Sequence, residues 1–160
     1  AVAANAVPII AFAPITNAWF GVLNPHSKWA IAGILCFLPV MVNTLRGLTS
    51  VPTESLELMR SYAAGEIAIF RKLRIPAALP HLFTGLRIAT VLSMIGAIVG
   101  DYFGGSTVAL GVQIANSIAL FDFPLGWAAI VVASAFGIAF YAVVSLVELA
   151  VRRGRPSTAG

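Results

Sequence analysis

ESLELMRSYAAGEIAIFRKLRIPAALP, residues 54 to 80, is a polar island between apolar segments. It holds three of the chain's six carboxylates and four of its ten Lys and Arg residues. The sequence on either side is nearly free of charge. A segment this charged does not lie in lipid, so it sits in water or against a soluble partner. What it touches there defines what the protein does.

Composition sets the class. The chain is 59% hydrophobic and 10% charged, against roughly 25% charged for a soluble domain. So few charges cannot cover a water-facing surface, and the chain reads as an integral membrane protein. The net charge of +4 is no sign of nucleic-acid binding, because the basic residues flank apolar spans and act as topology signals. The single cysteine, Cys36, lies in an apolar run and reads as a small buried hydrophobe. His26 and His81 stand far apart at segment edges, so no metal-ligand spacing is present. The chain begins at Ala1, already apolar, without a charged leader or a signal-peptide cleavage pattern. It is expected to be an N-terminally incomplete piece, lacking one or two spans of a longer protein.

A spanning helix needs roughly 20 mostly apolar residues. Four segments meet or approach that requirement, about 6–23, 28–45, 82–104 and 126–150. Pro8 and Pro14 are expected to kink or break the first. The run 108–121, VALGVQIANSIALF, is too short to span. It predicts a re-entrant or interfacial helix, capped by Ser106 or Thr107. Nine basic residues, Arg46, Arg60, Arg71, Lys72, Arg74, Arg87, Arg152, Arg153 and Arg155, lie in or beside the central loop or after the last span. Lys28 alone lies on the other side. This bias predicts a cytoplasmic loop 46–81 and a cytoplasmic C-terminus, with 153–160 as a disordered tail. Gly96, Gly100 and Gly104, and then Ala129, Ala133 and Gly137, recur at four-residue spacing, the pattern of closely packed membrane helices.

Within the loop, Thr53 is positioned to cap a helix with Glu54 in its first turn. Leu56, Met59 and Ala63 share one face of that helix. Gly65 permits a sharp turn. A second short helix is expected from Glu66 to Arg74, ended by Pro76, with Pro80 opening the next span. On these residues alone, two readings stand. One is an amphipathic hairpin on anionic lipid, and the other is a helical plug in a groove of a soluble partner.

The same residues resemble the EAA loop of type I ABC importer permeases. That pattern is Glu-Ala-Ala, three residues, Gly, nine residues, Ile, one residue, Leu-Pro. With Glu57 on its glutamate, Leu73, Arg74, Ile75 and Pro76 fall on Ile-x-Leu-Pro. Leu58 and Met59 stand for its alanines and Ala63 for its glycine, while the nearest glycine, Gly65, is two residues late. The stretches PIIAFAPITNAWFG (8–21), LPVMVNTLRGL (38–48) and PAALPHLFTGLRIA (76–89) are similar to the nitrate/taurine/sulfonate branch. GDYFGG (100–105) and FDFPLGWAAIVVAS (121–134) look most like permeases for riboflavin or pyrimidine precursors.

The resemblance implies an all-helical, MetI-like bundle, the transmembrane domain of an ABC importer, working by alternating access in a bacterial inner membrane. It implies three protein partners: an ABC ATPase subunit, an extracytoplasmic substrate-binding protein and a second permease copy. ATP is hydrolysed by the partner, so this chain is no enzyme and carries no cofactor. Residues Glu57, Arg60, Ser61, Tyr62, Ala63, Ala64, Gly65 and Pro76 are then expected at the ATPase contact. An importer of nitrate, taurine or sulfonates is the alternative within the family. A helical solute transporter working without ATP, its loop on lipid, is the alternative outside it.

Polar groups inside apolar spans face a bundle interior or a water-filled path. Asn5, Thr16, Asn17, Asn43, Ser93, Asp101 and Ser134 are the candidates, with interhelical hydrogen bonding as their other reading. Asp122 is expected to be solvated in an outer loop or to meet the binding protein. Glu148 is expected to pair with Arg152 one helical turn on. No Gly-Lys-Ser/Thr phosphate loop occurs, so the chain itself is not expected to bind ATP.

Overall fold

The computed structural model describes residues 11–21, 23–103 and 106–153. Among them every regular element is helical. In chain order these are α1 (Phe12–Phe20), α2 (Pro25–Thr49), α3 (Thr53–Ser61), α4 (Glu66–Ile69), a π-helical turn (Phe70–Arg74), α5 (Ile75–Tyr102), α6 (Leu110–Ala119) and α7 (Phe123–Arg153). Three stretches are long and apolar enough to cross a membrane: Pro25–Thr49, Glu66–Tyr102 and Phe123–Arg153. At about 1.5 Å per residue each exceeds the roughly 30 Å hydrocarbon layer. Asn5, Pro8, Gly104 and the tail from 154 lie outside the described residues, as does the start of the first expected span.

Several boundaries differ from the sequence expectation, each for a local reason. α2 starts at Pro25 rather than 28, because proline suits the first helical position and the Asn24 carboxamide oxygen accepts the His26 amide at 3.1 Å. Pro52, not Thr53, is the residue before α3. Pro76 does not end a helix and Pro80 does not begin one. Glu66–Tyr102 runs on as one 37-residue helix. The π turn makes this possible. Its closing bond runs from the Ile75 amide to the Phe70 carbonyl, five residues back. That wider turn immediately precedes a proline that cannot donate and whose ring crowds the preceding turn. α6 begins at Leu110 after Ala109, without a side-chain cap from Ser106 or Thr107. α7 starts at Phe123 because Asp122 Oδ1 accepts the Leu125 amide at 3.3 Å, which makes Asp122 a cap.

The chain forms two compact units, residues 1–36 with 90–141, and residues 37–89 with 142–160. In the first, Ala13, Ile31 and Leu35 form a buried core, with Leu92 and Val99 packed on it. The glycine spacing read from sequence has its cause here. A methyl group on Gly96 would lie 3.0 Å from the Ala32 Cα. One on Gly111 would meet the Ile98 carbonyl, and the Asp101 Cβ at 2.6 Å, so α6 lies directly against α5. Gly126, Ala129 and Ala133 form the buried stripe of α7 in this unit.

In the second unit α2 and α5 touch backbone to backbone. A Cβ on Gly47 would sit 2.7 Å from the Ala78 Cα and 2.8 Å from the His81 Cβ. On Gly85 it would sit 3.1 Å from the Pro39 carbonyl. Gly47→Ala must push the helices apart and is expected to cost about 1–3 kcal/mol. Gly33→Ala, whose methyl would enter open space, is expected to be neutral or mildly stabilising. Thermal unfolding of the full-length protein in detergent reads both.

Candidate functional site

The polar island folds into α3, a tight reversal, α4 and the π turn, all within the second unit. Leu56, Met59 and Ala64 are half-buried, while Glu57, Leu58, Arg60, Ser61, Tyr62, Ala63 and Gly65 are exposed. Pro76 is half-buried at the start of α5. Seven of the eight expected coupling residues thus come together on one short stretch, and Pro76 stands apart from it beyond the π turn. No α3 side chain is fully buried. The helix nevertheless presents Leu58 and Tyr62, 58% and 77% exposed, beside charged Glu57 and Arg60.

The reversal is made at Ala63, not at Gly65. Ala63 takes φ +54°, whereas Gly65 is at −68° with open space around it. The Ala64 amide donates to the Met59 carbonyl at 3.1 Å and the Ala63 amide to the Arg60 carbonyl at 2.8 Å. These are the two bonds of a Schellman C-cap, whose left-handed residue is most often glycine. The position of the motif glycine in the sequence pattern is therefore the position of the turn, although alanine occupies it. Alanine there costs about 1 kcal/mol. Ala63→Gly is expected to recover most of that in thermal stability. Ala63→Val, β-branched in a left-handed conformation, is expected to lower it. Across the reversal Arg60 pairs with Glu66 at 3.5 Å, an exposed pair of little weight.

The second unit also holds a charge cluster that sequence spacing only half revealed. Glu148 is buried, 4% exposed, on α7. The expected partner Arg152 is present at 3.6 Å. Its main partner, however, is Arg87 on α5, in direct ion-pair contact. Helix periodicity shows the first pairing, but the second needs the tertiary fold.

In the first unit the polar candidates are hydrogen-bonded or ion-paired, some across helices and some within their own. Asn17 Nδ2 donates to the Phe103 carbonyl at 3.2 Å, and the Ser27 hydroxyl donates to Asn17 Oδ1. Thr16 donates to the Phe12 and Ala13 carbonyls within its own helix, each at 3.0 Å. Asp101 pairs with Lys28 across α5 and α2. Ser134 donates to the Ile130 carbonyl at 2.8 Å and Ser93 to the Thr90 carbonyl at 2.8 Å. In the second unit Asn43 donates to the Pro39 carbonyl at 2.8 Å. Of these candidates, Ser134 alone lines a groove of about 540 Å³ in the first unit, together with Met94, Ile98, Ile114, Gly137 and Tyr141. No charged side chain lines it. Among the described residues no three His, Cys, Asp or Glu residues come together as a metal site.

Comparison with known proteins bears on all of this. The family model described as binding-protein-dependent transport system inner membrane component matches residues 1–153. The riboflavin transport system permease protein of Chloroflexus aurantiacus is 34% identical over 146 residues, 91% of this chain and 54% of that protein. The formylaminopyrimidine transport permease protein of Halalkalibacterium halodurans is 38% identical over 147 residues, 92% of this chain and 58% of that protein. The nitrate import permease protein of Leptolyngbya laminosa is 30% identical over 99 residues, 62% of this chain and 35% of that protein. The chain spans about half the length of the first two relatives.

Proposed function

Because the chain belongs to the family of binding-protein-dependent transport system inner membrane components, we propose that it is the permease part of an ATP-binding cassette importer. The observation that carries this reading is the exposed helix and reversal at 53–65, turned at the residue that occupies the motif's glycine position. Two copies form the path, a separate ATPase binds the loop, and an external binding protein delivers solute. The loop and the C-terminus face the cytoplasm, in keeping with the nine basic residues on that side. Glu57, Arg60, Ser61, Tyr62, Ala63, Ala64, Gly65 and Pro76 form the ATPase contact, with Ala64 and Pro76 its half-buried members. Closure of the ATPase pair favours one arrangement of the loop, and the continuous Glu66–Tyr102 helix carries that bias into the membrane.

The solute is a small neutral heterocycle of the riboflavin or pyrimidine-precursor kind. The charge-free groove at Ser134 suits such a molecule better than an anion, which needs compensating charge in a low-dielectric site. Asn17 and Asp101 contribute to the path by fixing helix positions, while Asn43 and Ser93 bond to carbonyls of their own helices rather than to solute. Proteoliposomes holding the full-length permease, its ATPase and its binding protein test the reading. ATP-dependent uptake of labelled riboflavin or formylaminopyrimidine is expected. Uptake that proceeds without ATP would favour the facilitative alternative, and ATP-driven uptake of nitrate or taurine alone would overturn the solute class.

A further inference from the structure

The α6–α7 corner departs from local backbone preference. α6 ends in a Schellman cap, with the Asp122 amide on the Ser117 carbonyl at 2.9 Å and the Phe121 amide on the Ile118 carbonyl at 3.3 Å. The left-handed residue of that cap is Phe121, at φ +57°. A bulky aromatic is a genuine outlier there, where glycine is free of strain. The ring gains little inside the chain in return. It is 78% exposed, and its ring meets the edge of Phe123 with centroids 6.2 Å apart. Leu120 and Phe123 are exposed as well.

We propose that the Leu120–Phe123 corner is a membrane anchor, its apolar side chains seated in the headgroup layer of the bilayer that α7 enters. Three observations favour lipid over a water-soluble partner. In the ten residues 118–127 Asp122 is the only charged side chain, and its carboxylate is occupied by capping α7. A surface that docks a protein only intermittently would leave this apolar cluster in water between encounters, whereas lipid covers it throughout. The corner is also continuous with the exposed apolar flank of α7, beginning at Trp127, 67% exposed within the first turns of the helix, where tryptophan marks the membrane–water boundary. Strain kept at one position by an aromatic that, among the described residues, remains 78% exposed is explained when the ring has lipid to enter. The anchor fixes the depth of α6, which Gly111 holds against α5.

The proposal rests on the membrane reading of α7 and is tested so that the two can fail separately. Nitroxide labels are placed singly at Leu120, Phe121 and Phe123, in full-length protein whose native cysteines, Cys36 among them, are serine. Labels at Phe136 on α7 and at Arg71 in the loop serve as references. In proteoliposomes, collision with oxygen and with a water-soluble nickel chelate is measured by paramagnetic resonance. The expected result is an oxygen-to-chelate ratio at all three corner positions several-fold above that at Arg71 and below that at Phe136. Corner ratios equal to that at Arg71, with Phe136 still protected, overturn the anchor alone. A ratio at Phe136 equal to that at Arg71 overturns the membrane reading itself. Corner protection that appears only on adding the external binding protein also overturns the anchor and assigns the surface to that protein.

Discussion

Glu148→Ala is expected to be among the most destabilising single changes in the described chain. The carboxylate is 4% exposed and bridges Arg87 on α5 and Arg152 one turn on along α7. Removing Glu148 takes away the carboxylate that Arg87, 36% exposed, contacts directly, at a cost of about 2 kcal/mol. Arg152→Ala removes only an exposed guanidinium at 3.6 Å and is expected to cost under about 0.5 kcal/mol. The double replacement Arg87→Met with Glu148→Leu removes both charges at once, and is expected to recover most of the loss, since well-packed apolar groups often equal a buried pair. Thermal unfolding in detergent reads all three. A Glu148→Ala protein as stable as the parent would mean that the pair does not hold α5 to α7.

The second large effect is functional rather than structural. Leu58 and Tyr62 are too exposed to hold the fold, so replacing both by aspartate should leave expression and membrane insertion intact. Their loss should nevertheless weaken ATPase binding by more than about 30-fold, because an aromatic and its apolar neighbour at the centre of a contact carry a disproportionate share of its energy. Basal activity of the isolated ATPase should not change, while uptake by the reconstituted importer should fall with the loss of binding. Equal uptake by parent and double variant would remove the loop from the coupling path.

Composition made the all-helical membrane class legible, and spacing made the small-residue stripes legible. Gly96, Ala129 and Ala133 are buried, because helices that approach this closely admit only small side chains. What escaped the sequence was governed by contacts distant in the chain or by compensation between neighbours. Arg87 with Glu148, and Lys28 with Asp101, pair across helices, and no periodicity links their positions. Pro76 signals a helix end by every local rule, yet the π turn before it absorbs the lost donor and the ring. Gly65 looked like the turn because glycine tolerates left-handed backbone, but the Schellman bonds put that backbone at Ala63, against residue preference. The Asn17 carboxamide, read as lining a path or bonding between helices, bonds to Ser27 and Phe103. A polar group in an apolar run needs a partner, and the sequence does not reveal whether that partner is solute, water or another helix.

The most direct test is photo-crosslinking from Tyr62. The full-length permease is made with benzoylphenylalanine at that position, co-expressed with its ATPase, and irradiated in native membranes. A single adduct with the mass of permease plus ATPase, strengthened or weakened by trapping the ATPase in its ATP-bound state, is the expected result. Crosslinks to lipid alone, with the ATPase present and unlabelled, would contradict a coupling role and leave the segment as an element lying on the membrane surface.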